Sequence, residues 1–327
     1  MSKKEIRNIA ILTSGGDSPG MNCVIRSAVR TAIGHNVKIY GIHRGYAGLL
    51  DNNFEELNAS SVGNIIQKGG TILGSSRSPE FKEKINREKA AQILDDRDID
   101  ALIVIGGDGS FKGAIAMQEE FGIPVIGIPG TIDNDISGTQ YTIGFDTAVQ
   151  TAIEAVDKIR DTAASNERNF LIEVMGATSS SIALKVGVCT GAENVLLHGD
   201  KVDYEKIAKD IRRGMRRGKN SSLIIVAEGE KPGRSYDISS VLDDLHDIQT
   251  KVCILGHIQR GGSPTANDRF YGSIMGQMAV ESLLKGETEN AIVVKDDRVQ
   301  SVPLADCAKK SDHVMKDFIG IAESLSI

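Results

Sequence analysis

Short, unbroken apolar runs recur along this chain, separated by longer stretches in which apolar residues return every three or four positions. Asn8–Leu12, Val37–Ile42 (interrupted only by Lys38), Ala101–Ile105 and Pro124–Ile128 are such runs, the last two bounded by Gly, Pro or Asp, and they read as buried strands. Between them Met21 to Gly34, Lys84 to Asp96 and Phe111 to Glu120 read as helices, the last starting at Ser110. A short helix is expected around Val62–Gln67, and loops over His43 to Asn53 and Gly69 to Pro79. Such alternation predicts a mostly parallel sheet with helices on both faces. From Gly144 the pattern restarts. Val149, Ile153, Val156 and Ile159 fall at helical spacing, so 146–163 is expected to be an amphipathic helix. Strands then follow at Phe170–Val174, Asn194–Leu197, Leu223–Ala227, Val252–Gly256 and Ala291–Val294. The expected helices there are Ser179–Val188, Tyr204–Arg217, Tyr236–His246 and Asp268–Lys285.

Three of the strands run into turns that carry chemistry. Asn8–Leu12 leads into Thr13-Ser14-Gly15-Gly16-Asp17, Ala101–Ile105 into Gly106-Gly107-Asp108-Gly109-Ser110, and Pro124–Ile128 into Pro129-Gly130-Thr131-Ile132-Asp133-Asn134-Asp135. Ligands of open α/β sheets bind outside the carboxyl ends of the strands. Glycines let a backbone approach a phosphate closely, and a helix N-terminus favours negative charge. An aspartate in such a turn can hold Mg2+. The Asp133/Asp135 pair could supply a proton acceptor and a neighbour that serves a metal. Each turn alone also fits a polar surface loop. Three in one sheet point to a crevice for nucleotide phosphates. None is a Walker motif or the dinucleotide GxGxxG, and the lack of the latter argues against a Rossmann dehydrogenase.

At 327 residues the chain is long enough for two domains. With 40% hydrophobic residues, 25% charged residues and 35 glycines, it fits a soluble α/β protein rich in tight turns. A net charge of −6 argues against a nucleic-acid surface. Cys23, Cys189, Cys253 and Cys307 lack CxxC spacing, so free thiols are expected rather than a zinc site or disulfide framework. There is no apolar leader and no run of about 18 apolar residues, so a cytoplasmic protein without membrane attachment is expected.

The phrases LTSGGDSPGMN (12–22), GGDGS (106–110), PGTIDND (129–135), IEVMG (172–176) and LGHIQRGGSP (255–264), in this order, resemble the bacterial ATP-dependent 6-phosphofructokinases. The resemblance runs from about residue 6 to the C-terminus. It implies two Rossmann-like three-layer αβα domains with mostly parallel sheets. An ATP-binding domain would comprise 1–143 plus 258–308, and a sugar-phosphate domain 144–257 plus 309–327. It also implies phosphorylation of fructose 6-phosphate by ATP with Mg2+, a homotetramer, and control by ADP or phosphoenolpyruvate. Asp133 matches the base, Thr131 and Arg77 the residues that contact or neutralise the transferred group, and Asp108 the Mg2+ ligand. Gly15, Tyr46, Arg77, Ser78, Asp108, Gly109 and Ser110 match the ATP side. Thr131, Asp133, Asp135, Met175, Gly176, Glu228, His257 and Arg260 match the sugar side, with Arg168 and Lys251 completing a neighbouring subunit's sugar site. Pyrophosphate-using relatives carry bulkier residues at the positions of Gly109 and Gly130, so both glycines resemble the ATP-using form with room left for the nucleotide.

The chain departs from the family on the sugar side. The family's MGR is Met175-Gly176-Ala177, Lys251 stands where it has an arginine, and Ser180 replaces a glycine. Lysine keeps the charge and loses the bidentate fork. Each lost charged hydrogen bond is worth roughly 1.5–3 kcal/mol. The effector positions are mixed too: Arg26, Arg30, Arg160, Glu193, Arg217 and Lys219 match, whereas Ala59 and Asn220-Ser221 replace cationic residues. Weak or absent effector control is therefore expected. Three functional readings stand: a fructose 6-phosphate kinase, a kinase of another phosphosugar, and a catalytically weak regulatory paralogue.

Overall fold

The computed structural model describes residues 5–311, 319–321 and 324. The part of the expected sugar-phosphate domain beyond residue 311 therefore lies largely outside the described residues. Close packing divides the chain into two units. One comprises the chain to Ile132, Ile136–Thr147 and Arg260–Ser311; the other holds Asp133–Asp135 and Ala148–Gln259.

The first unit is built on β1 (Asn8–Ser14), α1 (Met21–Gly34), β2 (Lys38–Ile42), α2 (Gly45–Leu50), β3 (Phe54–Leu57), α3 (Lys84–Asp96), β4 (Ala101–Gly106), α4 (Asp108–Phe121) and β5 (Val125–Pro129). Among the described residues its sheet has seven strands, and the last two come from the chain's return to this unit. Every residue of β4 and β5 is buried, because helices cover both faces. Successive side chains feed opposite layers. Ile103, Ile105 and Ile126 face the layer containing Val24, Ile25 and Met275, while Leu102, Val104 and Val125 face the one with Leu94, Phe111 and Met117. Fully burying each such side chain contributes about 1.5–3 kcal/mol.

The second unit continues with α5 (Phe145–Asn166, whose first turn belongs to the first unit), β6 (Asn169–Val174), α6 (Ser181–Thr190), β7 (Asn194–Leu196), α7 (Tyr204–Arg216), β8 (Leu223–Ala227), α8 (Arg234–His246) and β9 (Thr250–Ile254). Its sheet among the described residues is four-stranded and wholly parallel, in the order β7-β8-β6-β9. Leu171, Ile224 and Val226 pack there against Ile207, Ile211, Ile238 and Leu242 of α7 and α8. The chain then forms α9 (Ala266–Lys285), β10 (Asn290–Lys295), β11 (Arg298–Pro303) and the short α10 (Leu304–Cys307), all in the first unit. There the strand order is β11-β10-β5-β4-β1-β2-β3, with the edge strands β3 and β11 antiparallel.

Several expected elements are corrected. No helix forms around Val62–Gln67: Asn64 sits at φ 53°, which ends any helical run, and Val62 and Ile65 are buried through turns. The loop expected over His43 to Asn53 contains α2, which buries Tyr46, Leu49 and Leu50 and then leads into β3. Strand β9 starts at Thr250, and Gly256–Arg260 is a 3-10 turn. Helix α4 begins at Asp108, two residues before the expected start. The unexpected β11 follows a tight turn in which Asp296 and Asp297 take φ 52° and 57°, as a two-residue hairpin requires. The four cysteines are free thiols.

Candidate active site

In the first unit, β1 and β4 lie side by side at the centre of the sheet, with β2 continuing one way and β5 the other. That reversal is the point where an open α/β sheet leaves a crevice at its carboxyl edge. The last residues of both strands, Ser14 and Gly106, are register partners, so the Gly15 and Gly107 turns emerge together. The Ser110 hydroxyl donates to the Ser14 carbonyl at 3.2 Å, which fixes the first turn of α4 to the end of β1. Asp108, Gly109 and Ser110 thus form a helix N-terminus, whose backbone N–H groups favour anions.

The side chains around this edge divide by exposure. Arg77 is exposed, following a segment in which the Ser75 hydroxyl donates to Gly15 O at 2.5 Å. Ser78 precedes the 3-10 turn Pro79–Lys82. Tyr46 is buried, stacks on Phe81 with ring centroids 4.0 Å apart, and donates its hydroxyl to Ser110 O at 2.7 Å. Burial pushes its phenol pKa well up. Its contact with the Asp108–Ser110 turn therefore runs through the backbone, from behind. Asp108 keeps a side chain 23% exposed, 2.9 Å from Lys112 Nζ. Among the described residues no cluster of three or more His, Cys, Asp and Glu forms a metal cage. A lone, reachable carboxylate still suits Mg2+, which retains water and takes its other ligands from substrate phosphates.

The two glycines that resemble the ATP-using form are unlike in their surroundings. A Cβ at Gly109 would meet nothing within 4 Å. A Cβ at Gly130 would lie 2.9 Å from Ile105 Cγ2 and 3.1 Å from Met21 Cε. Gly109 thus borders open space, whereas core packing is what demands glycine at 130. Beyond β5, Gly130 N donates to Gly106 O at 3.0 Å, and Thr131 O accepts from the Thr142 hydroxyl at 2.6 Å. Asp133 is half-buried and Asp135 buried, with Asn134 between them at φ 48°. Asn is among the few residues that take this left-handed geometry readily. Arg260, returned to the first unit, donates to Asp17 O at 3.1 Å and lies against Gly16, where a Cβ would stand 2.5 Å from its Nη1.

In the second unit the carboxyl ends of β6 and β8 hold a compact polar arrangement. The backbone N–H groups of Gly176 and Ala177 donate to Glu228 Oε1 at 3.1 and 2.7 Å. Gly176 has φ 154°, Ala177 has φ 49°, and Ser179 N closes the turn on Gly176 O at 2.7 Å. His198 Nδ1 lies 3.0 Å from Glu228 O. Met175 N donates to Gln259 Oε1 at 2.8 Å, and Gln259 is fully buried. His257 is exposed in the 3-10 turn after β9.

Arg168 and Lys251 stand elsewhere. Lys251 is the register partner of Phe170, and Arg168 immediately precedes β6, so both are at the amino end of this sheet. Seven residues separate Arg168 from Met175, about 23 Å along a strand. One chain does not bring these two cations to Gly176 and Glu228. Among the effector positions, Arg26 and Arg30 lie on α1. In the second unit Arg160 donates to Thr190 O, Lys219 pairs with Glu193 at 3.1 Å, and Arg217 caps α7. Glu193 also accepts from Leu223 N at 2.7 Å, so its carboxylate serves the protein's own backbone. His198, Gln259 and Thr142 are not among the expected site residues. Of these only Gln259 lies inside a recognised phrase, and lone polar residues of this kind carry no spacing signal.

Glycine and aspartate turns gathered at the carboxyl edge of a parallel sheet are the architecture with which α/β proteins hold phosphates. The chain belongs to the phosphofructokinase family, whose model matches residues 8–283. It is 46% identical to the ATP-dependent 6-phosphofructokinase of Bacillus thuringiensis and 48% identical to that of Natranaerobius thermophilus. Both matches extend over 322 residues and cover 98% of this chain and all of the relative. Among solved structures it is similar to phosphofructokinase from Saccharomyces cerevisiae, with 34% identity and a TM-score of 0.86. That match covers 98% of this chain but only 48% of the yeast chain, about half its length. A pyrophosphate-dependent phosphofructokinase from Marinobacter aquaeolei, at 20% identity and a TM-score of 0.83, shares the fold. Among the described residues no helix is long and apolar enough to cross a membrane.

Proposed function

We propose that the chain is an ATP-dependent 6-phosphofructokinase that converts fructose 6-phosphate to fructose 1,6-bisphosphate in glycolysis. The observation that carries this reading is full-length similarity to enzymes of that name together with intact GGDGS and PGTIDND turns at the sheet's carboxyl edge. Asp133 takes the proton from the sugar 1-hydroxyl as that oxygen attacks the γ-phosphorus of ATP. The bond from this phosphorus to the β–γ bridging oxygen breaks, and ADP leaves. Gly15, Gly109 and Ser110 line the ATP phosphates, with Tyr46 and Ser78 supporting that side. Arg77 and Thr131 neutralise and position the transferred group. Asp108 would hold Mg2+, with Asp135 supporting that region; when bound, the ion neutralises charge on the phosphate oxygens. Met175, Gly176, Glu228, His257 and Arg260 hold the sugar phosphate. Catalysis here is positioning and charge neutralisation, so these residues need no reactivity beyond one proton transfer.

Arg168 and Lys251 complete the sugar site of a neighbouring subunit, a reading supported by their place at the amino end of the second unit's sheet, with Arg168 about 23 Å along the strand from Met175. The enzyme is therefore expected to be a homotetramer in the cytoplasm. Sedimentation should give four copies, and dilution should lower the specific activity as the assembly dissociates. A monomer with full activity would remove the basis for the shared site. With cations missing at Ala59 and Asn220-Ser221, control by ADP or phosphoenolpyruvate is weak.

A second reading, another phosphosugar as acceptor, is favoured by Ala177, which brings no charge to the turn beside Glu228. A coupled ADP-release assay over a panel of phosphosugars separates the two. Fructose 6-phosphate should give the highest kcat/KM. A tenfold or greater preference for a different acceptor would favour the second reading, and no turnover with any would leave the chain a regulatory paralogue.

A further inference from the structure

The first unit buries a carboxylate that the reaction above does not use. Asp268, in the first turn of α9, is fully buried, and four donors meet its two oxygens. Tyr141 Oη and Gly144 N donate to Oδ1, both at 2.7 Å. Thr147 N and Thr147 Oγ1 donate to Oδ2 at 2.9 and 2.5 Å. The Thr147 hydroxyl also accepts from Thr265 N at 3.0 Å, and Thr265 in turn accepts from Asp268 N at the start of α9. A buried charge is tolerated when its lone pairs are filled in this way, and such a network admits few alternative geometries.

All three residues that donate to the Asp268 carboxylate lie in 141–147, and this segment touches the turn after β5 and the chain just beyond the turn after β1. Thr142 Oγ1 donates to Thr131 O at 2.6 Å, and Ile143 N donates to Pro129 O at 2.9 Å. On the other side Ser18 Oγ donates to Ile143 O at 2.8 Å, and a Cβ on Gly20 would stand 2.8 Å from Ile143 Cγ2. Gly144 has φ 104° and approaches Ser18 so closely that no Cβ fits between them. The segment is thus wedged between Pro129–Thr131 and Ser18–Gly20; Tyr141 at its start bridges to Val294 of β10, and from Tyr141 to Thr147 it is footed on the Asp268 carboxylate.

We infer that Asp268 is a positioning residue: by fixing 141–147 it sets where Thr131, and through the backbone Asp133, stand for phosphoryl transfer. The inference rests on the function proposed above for that turn. A misplacement of about 1 Å in a reacting group can cost about 100-fold in rate, so a remote anchor of this kind is worth retaining. Asp268→Asn is nearly isosteric but turns one acceptor oxygen into a donor, so the backbone N–H on that side meets a donor and the hydroxyl beside it must turn round to accept. Thr142→Val removes only the hydroxyl that reaches Thr131 O.

The test measures both single variants and the double variant on the tetramer with the best acceptor. Rates are normalised to the fraction of molecules that bind ATP in equilibrium dialysis. Asp268→Asn should lower kcat about 10- to 100-fold with KM for the acceptor changed less than about threefold, and Thr142→Val should lower kcat in the same direction. Acting through one contact, the pair should be non-additive, with the double variant within about twofold of the worse single. Hydrogen exchange across 129–144 should quicken at least tenfold in both variants, while β6 and β8 stay protected. The exchange arm stands whatever the acceptor proves to be, so with a wild type inactive on every phosphosugar the functional reading and the positioning role fall together while exchange still decides whether Asp268 anchors 141–147. Unchanged exchange overturns the anchoring. Altered exchange with kcat per binding-competent molecule intact, or fully multiplicative losses, overturns the positioning role. Should Asp268→Asn fail to fold, Thr142→Val carries the same two readouts.

Discussion

Asp133→Asn should reduce phosphoryl transfer to less than a tenth of the wild-type rate while leaving the affinity for ATP nearly unchanged. Asn preserves the shape of the side chain and removes the proton acceptor. General-base catalysis contributes about 10²–10⁴-fold, so the expected fall in kcat is of that order. The backbone gives no reason for a wider effect. Asp133 is half-buried in the turn beyond β5, and the left-handed residue of that turn is its neighbour Asn134. ATP affinity, read by equilibrium dialysis, depends on the Gly15 and Asp108–Ser110 turns, which the substitution does not alter. A variant retaining more than about a tenth of the activity would assign the base to another group.

What could be read from the sequence, and what could not, follows from the scale of each signal. The turns after β1 and β4 were legible because each joins a buried strand, a glycine pair and a helix start, and the turn after β5 through Pro129-Gly130 and its paired aspartates. The central strands were legible for the same reason that they are central: both faces are covered, so no polar residue interrupts them. Edge strands lack that signature. β3 carries Glu55 and Glu56 toward solvent, and β11 mixes half-buried and exposed residues with none buried. Helix α2 was hidden by Gly45 and Gly48, which read as loop formers. In the structure, Gly48 is required because a Cβ there would run into His43 O. The buried anchors Gln259 and Asp268 were invisible for a deeper reason. A single polar residue gains its meaning from donors more than 80 residues away in sequence, and no local spacing reports them. Gly130 shows the converse: a residue picked out by resemblance, for which the packing of Ile105 and Met21 supplies a second and independent cause.

Restoring the two family arginines, Ala177→Arg together with Lys251→Arg, should raise kcat/KM for fructose 6-phosphate by about 2–4 kcal/mol of transition-state stabilisation, roughly 30- to 900-fold. The motive is an asymmetry: the ATP-side phrases are intact, whereas both departures lie on the sugar side. Backbone strain does not oppose the change. Position 177 already takes φ 49° with a Cβ in place, and its N–H is held by Glu228, so arginine inherits a geometry that alanine has accepted. The residue is also exposed, leaving room for a longer side chain. Lys251 is exposed on β9 beside β6, and a guanidinium there would add the bidentate fork without moving the charge. The KM for ATP should hardly change, because neither position belongs to the nucleotide turns. If both arginines grip the same bound sugar, the double variant should gain more than the two single gains summed. One structural obstacle is specific. The Gly176–Ser179 turn is closed by its own hydrogen bond, and the Ser179 and Ser181 hydroxyls bond to each other at 3.0 Å. A turn held in this way could present the introduced guanidinium to solvent instead of the sugar, and Ser180→Gly in the same background, which removes the hydroxyl that accepts from His198 N at 2.9 Å and adds backbone freedom, should loosen it. A folded, tetrameric triple variant with no gain on fructose 6-phosphate, beside a wild type that turns over another phosphosugar well, would sink the weakened-contact account. The acceptor, and not the strength of its binding, would then be what this chain has changed.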